Sequence, residues 1–166
     1  MSDPLPAART HGNSAWLPWL VIGWLGAATC DITYATGFSY ARSGVAPSRI
    51  LQSVASGVLG RTAYDGGPKT AALGLALHYL NALIITTIFF LVARARRDLL
   101  RRPVLTGAIY GAGVYLVMNY VVIPLSAIGA IGYPPPAIWI SGVLVHMFLI
   151  GVPIALAARQ AYAPNS

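Results

Sequence analysis

Acidic side chains are scarce: four among 166 residues, against eleven lysines and arginines, so that charged residues reach only 9 %. Soluble domains carry about a quarter, and a chain this poor in charge cannot cover a surface that faces water. Cysteine is scarcer still. The single Cys30 excludes an intramolecular disulfide framework. Thr29 before it is not the small Gly or Ala of a lipoprotein processing site, so Cys30 reads as a small packing residue. The apolar run around it continues about ten residues further, which marks a retained span and not a cleaved signal peptide. Short alternating segments are missing, which argues against a transmembrane barrel. One apparent motif fails for want of one residue. GRTAYDGGPKT has the glycines, lysine and threonine of a phosphate loop, but Pro68 stands where Gly must precede Lys69. GGPKT reads instead as a turn into a helix, with Pro68 near its start.

What is abundant is apolar. Hydrophobic residues make up 57 % of the chain and the mean hydropathy is +0.67, the composition of a membrane protein. Four runs, 16–40, 70–93, 104–126 and 137–158, reach the roughly 20 residues that a helix needs to cross a hydrocarbon core. Lipid offers no partner to an unpaired backbone group, so each run is expected to be a helix. The expected fold is all-α: an antiparallel four-transmembrane-helix bundle in one membrane domain, 16–158, between tails at 1–15 and 159–166.

A net charge of +7 could suggest nucleic acid, but the basic residues sit at the ends of apolar runs, with no soluble domain to present them. Topology explains them better. The N-terminal tail, the RARRDLLRRP connection and the C-terminal tail hold Arg9, Arg94, Arg96, Arg97, Arg101, Arg102 and Arg159, whereas the other two connections hold Arg42, Arg49, Arg61 and Lys69. The positive-inside rule then puts both termini in the cytoplasm. RARRDLLRRP is read first as this topology determinant and second as a site for anionic lipid headgroups.

Between the first two runs, PSRILQSVASGVLG sets Ile50, Leu51, Val54, Ala55, Val58 and Leu59 at helical spacing opposite Gln52, Ser53, Ser56 and Gly57. An amphipathic helix over about 48–60 is too short to span and is expected to lie against the membrane or the bundle. Its apolar face should be buried and Gln52 more exposed. Its small residues suit close packing on another helix, and a lid over a bundle cavity is the sharper version of that contact.

The informative residues are the polar ones inside the spans: Asp31, His78, Asn81, Asn119 and His146. At 1.5 Å per residue, Asp31, His78, Asn119 and His146 lie about 10 to 14 Å from the same end of their runs. Asp31 is therefore expected to face the interior, within reach of at least one of His78, Asn119 and His146, since a carboxylate toward lipid is costly. Gly74 shares a face with His78 and Asn81, Gly142 with His146, and Gly107, Gly111, Tyr115 and Asn119 recur every fourth residue. These glycines are read as helix-packing positions that point inward. GLALH and GVLVH echo each other, as do Gly23/Asp31 and Gly111/Asn119, which suggests two repeated two-span units.

Three readings of the cluster follow. The first is a small-solute or proton-linked transport or sensing site with Asp31 as the titrating group. The second is a redox protein in which His78 and His146 ligate haem b from two sides. The third is a structural membrane protein whose polar groups serve only helix packing. No catalytic residue is assigned, because no serine, cysteine or metal-ligand constellation has recognisable spacing. The expected partners are the lipid bilayer and, through the glycine faces, further copies of the chain in a homo-oligomer, with no nucleic acid.

The strings RILQSVASGVLG, GLALHYL and MNYVVIPLSA, with the first-span aspartate, resemble small bacterial inner-membrane proteins of the YagU-like kind over residues 20–127. The resemblance implies a four-span protein of the bacterial inner membrane and carries no chemistry to transfer.

Overall fold

The computed structural model describes residues 16–129, 132 and 134–162. Helix accounts for 91 % of them and strand for none. The main helices are α1 (Trp16–Ser43), α2 (Pro47–Leu59), α3 (Gly67–Ala95), α4 (Pro103–Leu125) and α5 (Pro136–Tyr162). Short 3-10 turns, Gly60–Asp65 and Arg97–Arg101, lead into α3 and α4.

Local sequence sets these boundaries. Pro47, Pro68, Pro103 and Pro136 all stand in the first turn of a helix, where the missing N–H has no intrahelical partner anyway. Gly44, at φ 66°, closes α1 by donating its N–H to the Tyr40 carbonyl. Gly60, at φ 61°, closes α2 on the Ser56 carbonyl in the same way. The expected first span ends at 40, whereas α1 continues to Ser43. The tail expected from 159 begins inside α5, which runs to Tyr162. The N-terminal tail, 1–15, lies outside the described residues.

Helices α3, α4 and α5 are long and apolar enough to cross a membrane, with hydropathies of 2.0, 1.6 and 2.2 over their best windows. α1 has the length, 28 residues, but Thr29, Asp31 and Thr33 dilute its apolar run and it falls outside that set. The packing is inverted relative to a soluble bundle. Ile22, Leu25, Ile84, Ile88, Leu91, Ile109 and Leu116 point outward, while Ala27, Ala93, Ala155, Ala157 and Ala158 fill the interior around Phe90 and Ile154. Small residues inside let backbones approach, and large apolar ones outside lose nothing against lipid tails.

Helix approach is closest where glycine stands. A Cβ on Gly107 would stand 2.6 Å from the Gly151 carbonyl oxygen, and one on Gly111 would run into the His146 carbonyl, so α4 and α5 meet backbone to backbone. A Cβ on Gly74 would strike the Leu51 carbonyl, which marks the crossing of α2 and α3.

That crossing rotates α2 from its expected orientation, although Ala55 is buried as expected. Gln52 is only 4 % exposed and Ser56 is buried, whereas Val58 is 62 % exposed. The Gln52 Nε2 group donates to the Gly67 carbonyl at 3.1 Å and to Thr70 Oγ1 at 3.4 Å, serving polar groups in the first turn of α3. Outward-facing Val58 meets no opposing force where the surroundings are apolar, so hydrogen bonding and close approach decide the face.

At the arginine-rich end, Arg96 and Asp98 form an ion pair at 3.0 Å, the only one among the described residues. The Arg96 guanidinium holds the Asp98 carboxyl below the usual carboxylate range. Arg97 donates to the Tyr162 carbonyl at 3.1 Å and lies 4.0 Å above the Tyr162 ring, tying this connection to the end of α5.

Candidate functional site

Small side chains on α1 set up the site. Ala27 and Ala28 are buried, which lets α3 come close enough for His78 Nε2 to bond the Ala28 carbonyl at 2.8 Å. A carbonyl can only accept, so Nε2 carries the hydrogen in this bond. Two further bonds fix the register of α1 against α3: Trp24 Nε1 donates to the Tyr79 carbonyl at 2.7 Å, and Thr29 Oγ1 pairs with the Tyr79 hydroxyl at 2.9 Å. One turn of α1 beyond these contacts stands Asp31.

His146 arrives from α5. Its Nδ1 bonds the Gly142 carbonyl at 2.9 Å, so by the same reasoning Nδ1 carries the hydrogen in that bond. Its ring meets the buried Tyr115 ring edge to face, with centroids 5.2 Å apart. Tyr115 fits there because position 142 is glycine: a Cβ would stand 2.6 Å from Tyr115 Cε2.

Asp31, His78, Asn81 and His146 line one cavity of about 120 Å³, closed by Val54 of α2 and Met118 of α4. A second, larger hollow of about 320 Å³ runs between α1 and the first half of α5, past the stacked Tyr34 and Phe38 rings toward Arg42. Asp31 and His146 belong to the walls of both. The two hollows therefore share these side chains. Asp31 is half-buried there and makes no hydrogen bond or ion pair among the described residues.

Asn119 is not part of the cavity wall. Its Nδ2 donates to the Tyr115 carbonyl of its own helix at 2.9 Å, and Met118 takes the inward position. The reason is angular. Eleven residues at 100° each bring Met118 to within about 20° of Gly107, whereas a strict every-fourth series drifts, leaving Asn119 about 120° away.

Two features of the site have no counterpart in the periodicity of the sequence. Met118–Val122 and His146–Gly151 are π-helical turns, in which Ile123 donates to the Met118 carbonyl and Val152 to the Met147 carbonyl. Each donor immediately precedes a proline, Pro124 or Pro153, whose ring would clash with a carbonyl of a regular helix and which brings no N–H of its own. The prolines are the sequence signal for both turns. One π turn begins at His146, and the other contains Asn119.

Among the described residues, no three His, Cys, Asp or Glu side chains gather as a metal site. No family model, no curated protein and no solved structure matches the chain.

Proposed function

We propose that this is a four-span membrane protein, α1 being the fourth span, in which Asp31, His78, Asn81 and His146 form an intramembrane site for proton-linked transport or sensing. The observation that carries this reading is Asp31 itself. A carboxyl group serving helix packing needs a partner across the interface. Asp31 makes no hydrogen bond or ion pair among the described residues, and with His146 it lines both hollows. A group so placed can exchange a proton with the outer side and pass it, through His146 Nε2 or water, toward His78 and Asn81. The cavity volume corresponds to about four waters at roughly 30 Å³ each. That is far below the roughly 300 Å³ at which ligand pockets begin, so the haem reading gains no support from it.

The rest of the reading keeps the arginine bias: a bacterial inner-membrane location, with both termini and the Arg97–Arg101 turn on the cytoplasmic side. A reporter fused after Arg102 then reads the cytoplasm and one after Tyr64 the opposite side. The reverse pattern would overturn the orientation.

Asp31 is the only acidic residue in the four spans, which makes the central test clean. In lipid vesicles, infrared difference spectra taken from about pH 4 to about pH 9 should show a carboxyl band that titrates and disappears in Asp31→Asn. In the same vesicles, a pH-sensitive dye should report proton movement that Asp31→Asn abolishes. Asp31→Leu should fold at least as stably as the parent, because the carboxyl gives up no bond. Loss of stability in Asp31→Leu, with no titrating band in the parent, would return the cluster to a packing role.

A further inference from the structure

A groove of about 280 Å³ lies at the arginine-rich end, on the outside of the contact between α1 and α3, well away from the Asp31 cavity. Its floor is Leu20 and Phe90, both buried, and its rims are Trp16, Leu17 and Leu91, the two leucines strongly exposed. One end is closed by Tyr162, whose hydroxyl donates to the Phe90 carbonyl at 3.2 Å. At that end the apolar lining gives way to one charge, Arg94.

The neighbouring arginines are engaged. Arg96 is neutralised by Asp98, and Arg97 is held on the carbonyl and ring of Tyr162. The Arg94 guanidinium has no hydrogen bond or ion pair among the described residues, although it lies close enough to Tyr162 to act on it electrostatically. Helix α3 has 29 residues, about 43 Å at 1.5 Å each. A hydrocarbon core is about 30 Å thick, so Arg94, in the last turn, reaches the headgroup layer. Trp16 and Tyr162 beside it are the residue types that settle at that boundary.

We infer that this groove binds one anionic phospholipid, with an acyl chain along Leu17, Leu20, Phe90 and Leu91 and the headgroup phosphate on Arg94. Charge complementarity selects this occupant. A guanidinium with a free planar fork matches a phosphate, whereas a zwitterionic headgroup brings its own cation against Arg94, Arg96, Arg97, Arg101 and Arg102. The Arg96–Asp98 pair keeps Asp98 from competing for Arg94. A lipid seated there would also bridge α1 and α3 on a face that no element among the described residues covers.

Native mass spectrometry of the delipidated full chain tests this, with phosphatidylglycerol and phosphatidylcholine of identical acyl chains titrated in parallel. The parent protein should retain one phosphatidylglycerol in preference to phosphatidylcholine. Arg94→Gln should weaken that retention about tenfold, the worth of one charge-assisted hydrogen-bonded pair. Arg102→Gln, outside the groove and unpaired with Asp98, should leave it unchanged. Leu20→Trp, which fills the floor, should reduce retention of both lipids. Because Leu20 is buried and the variant can misfold, Leu17→Trp on the exposed rim repeats that arm. Equal retention of the two lipids by the parent, or equal losses in Arg94→Gln and Arg102→Gln, would overturn the site in favour of diffuse attraction to the basic surface.

Discussion

Two glycines on α4, two residues apart, should respond to alanine with opposite signs. Glycine to alanine inside a helix gains about 1 kcal/mol from backbone entropy. At Gly113 a Cβ meets nothing within 4 Å, so that gain stands nearly alone. At Gly111 the Cβ would run into the His146 carbonyl, with Met147 Cα only 2.7 Å away. Neither obstacle can rotate aside, so α4 and α5 must separate. Overpacking a well-packed contact costs about 1 to 3 kcal/mol, and an immovable backbone belongs at the upper end. The separation would also loosen the neighbouring contact of Gly107 with Gly151. The net expectation is a loss of about 1 to 2 kcal/mol for Gly111→Ala and a gain of up to about 1 kcal/mol for Gly113→Ala. Unfolding both proteins in one detergent by SDS titration, followed by far-ultraviolet circular dichroism, measures the difference directly. Gly111→Ala at or above parental stability would refute the backbone contact between α4 and α5. So would an equal loss at Gly113, since general intolerance of α4 would then explain both.

The remaining expectations are simpler. Thr86 is fully buried and its Oγ1 has no hydrogen-bond partner, so Thr86→Val should stabilise the bundle by about 1 kcal/mol; a loss would mean that the hydroxyl is satisfied. In a Cys30→Ala background, a nitroxide on a cysteine at position 58 should be relaxed by oxygen, which concentrates in lipid, far more than one at position 52, because α2 turns Gln52 inward and Val58 outward. Stronger relaxation at position 52 would restore the orientation expected from hydrophobicity.

The helices are legible in the sequence because span length is set by bilayer thickness and not by fold-specific packing. Residues 70–93, 104–126 and 137–158 come within a few residues of α3, α4 and α5, and 48–60 lies within one residue of α2. The face of α2 is not legible, for a physical reason. Assigning Val58 to the inside and Gln52 to the outside presumes water around the helix. Beside lipid that preference fades, and hydrogen bonds to Gly67 and Thr70 in the first turn of α3 hold Gln52 inward. At Gly74, Gly107, Gly111 and Gly142, the glycines expected at packing positions, a Cβ would collide with a neighbouring group.

The site separates what a helix preserves from what it does not. Rise per residue is nearly constant, so counting from the ends brings Asp31, His78 and His146 to one level, and all three line the same cavity. Angle accumulates error with every residue. Over the twelve residues from Gly107 to Asn119 the every-fourth pattern drifts by about a third of a turn, and Met118 takes the inward place. Past that point the helix is no longer α, because Pro124 forces the π turn Met118–Val122. On α5 the π turn caused by Pro153 begins only at His146, so Gly142 and His146 keep their expected common face and His146 Nδ1 still reaches the Gly142 carbonyl. The proline positions, five residues after Asn119 and seven after His146, therefore mark how far an angular reading can be carried on each span.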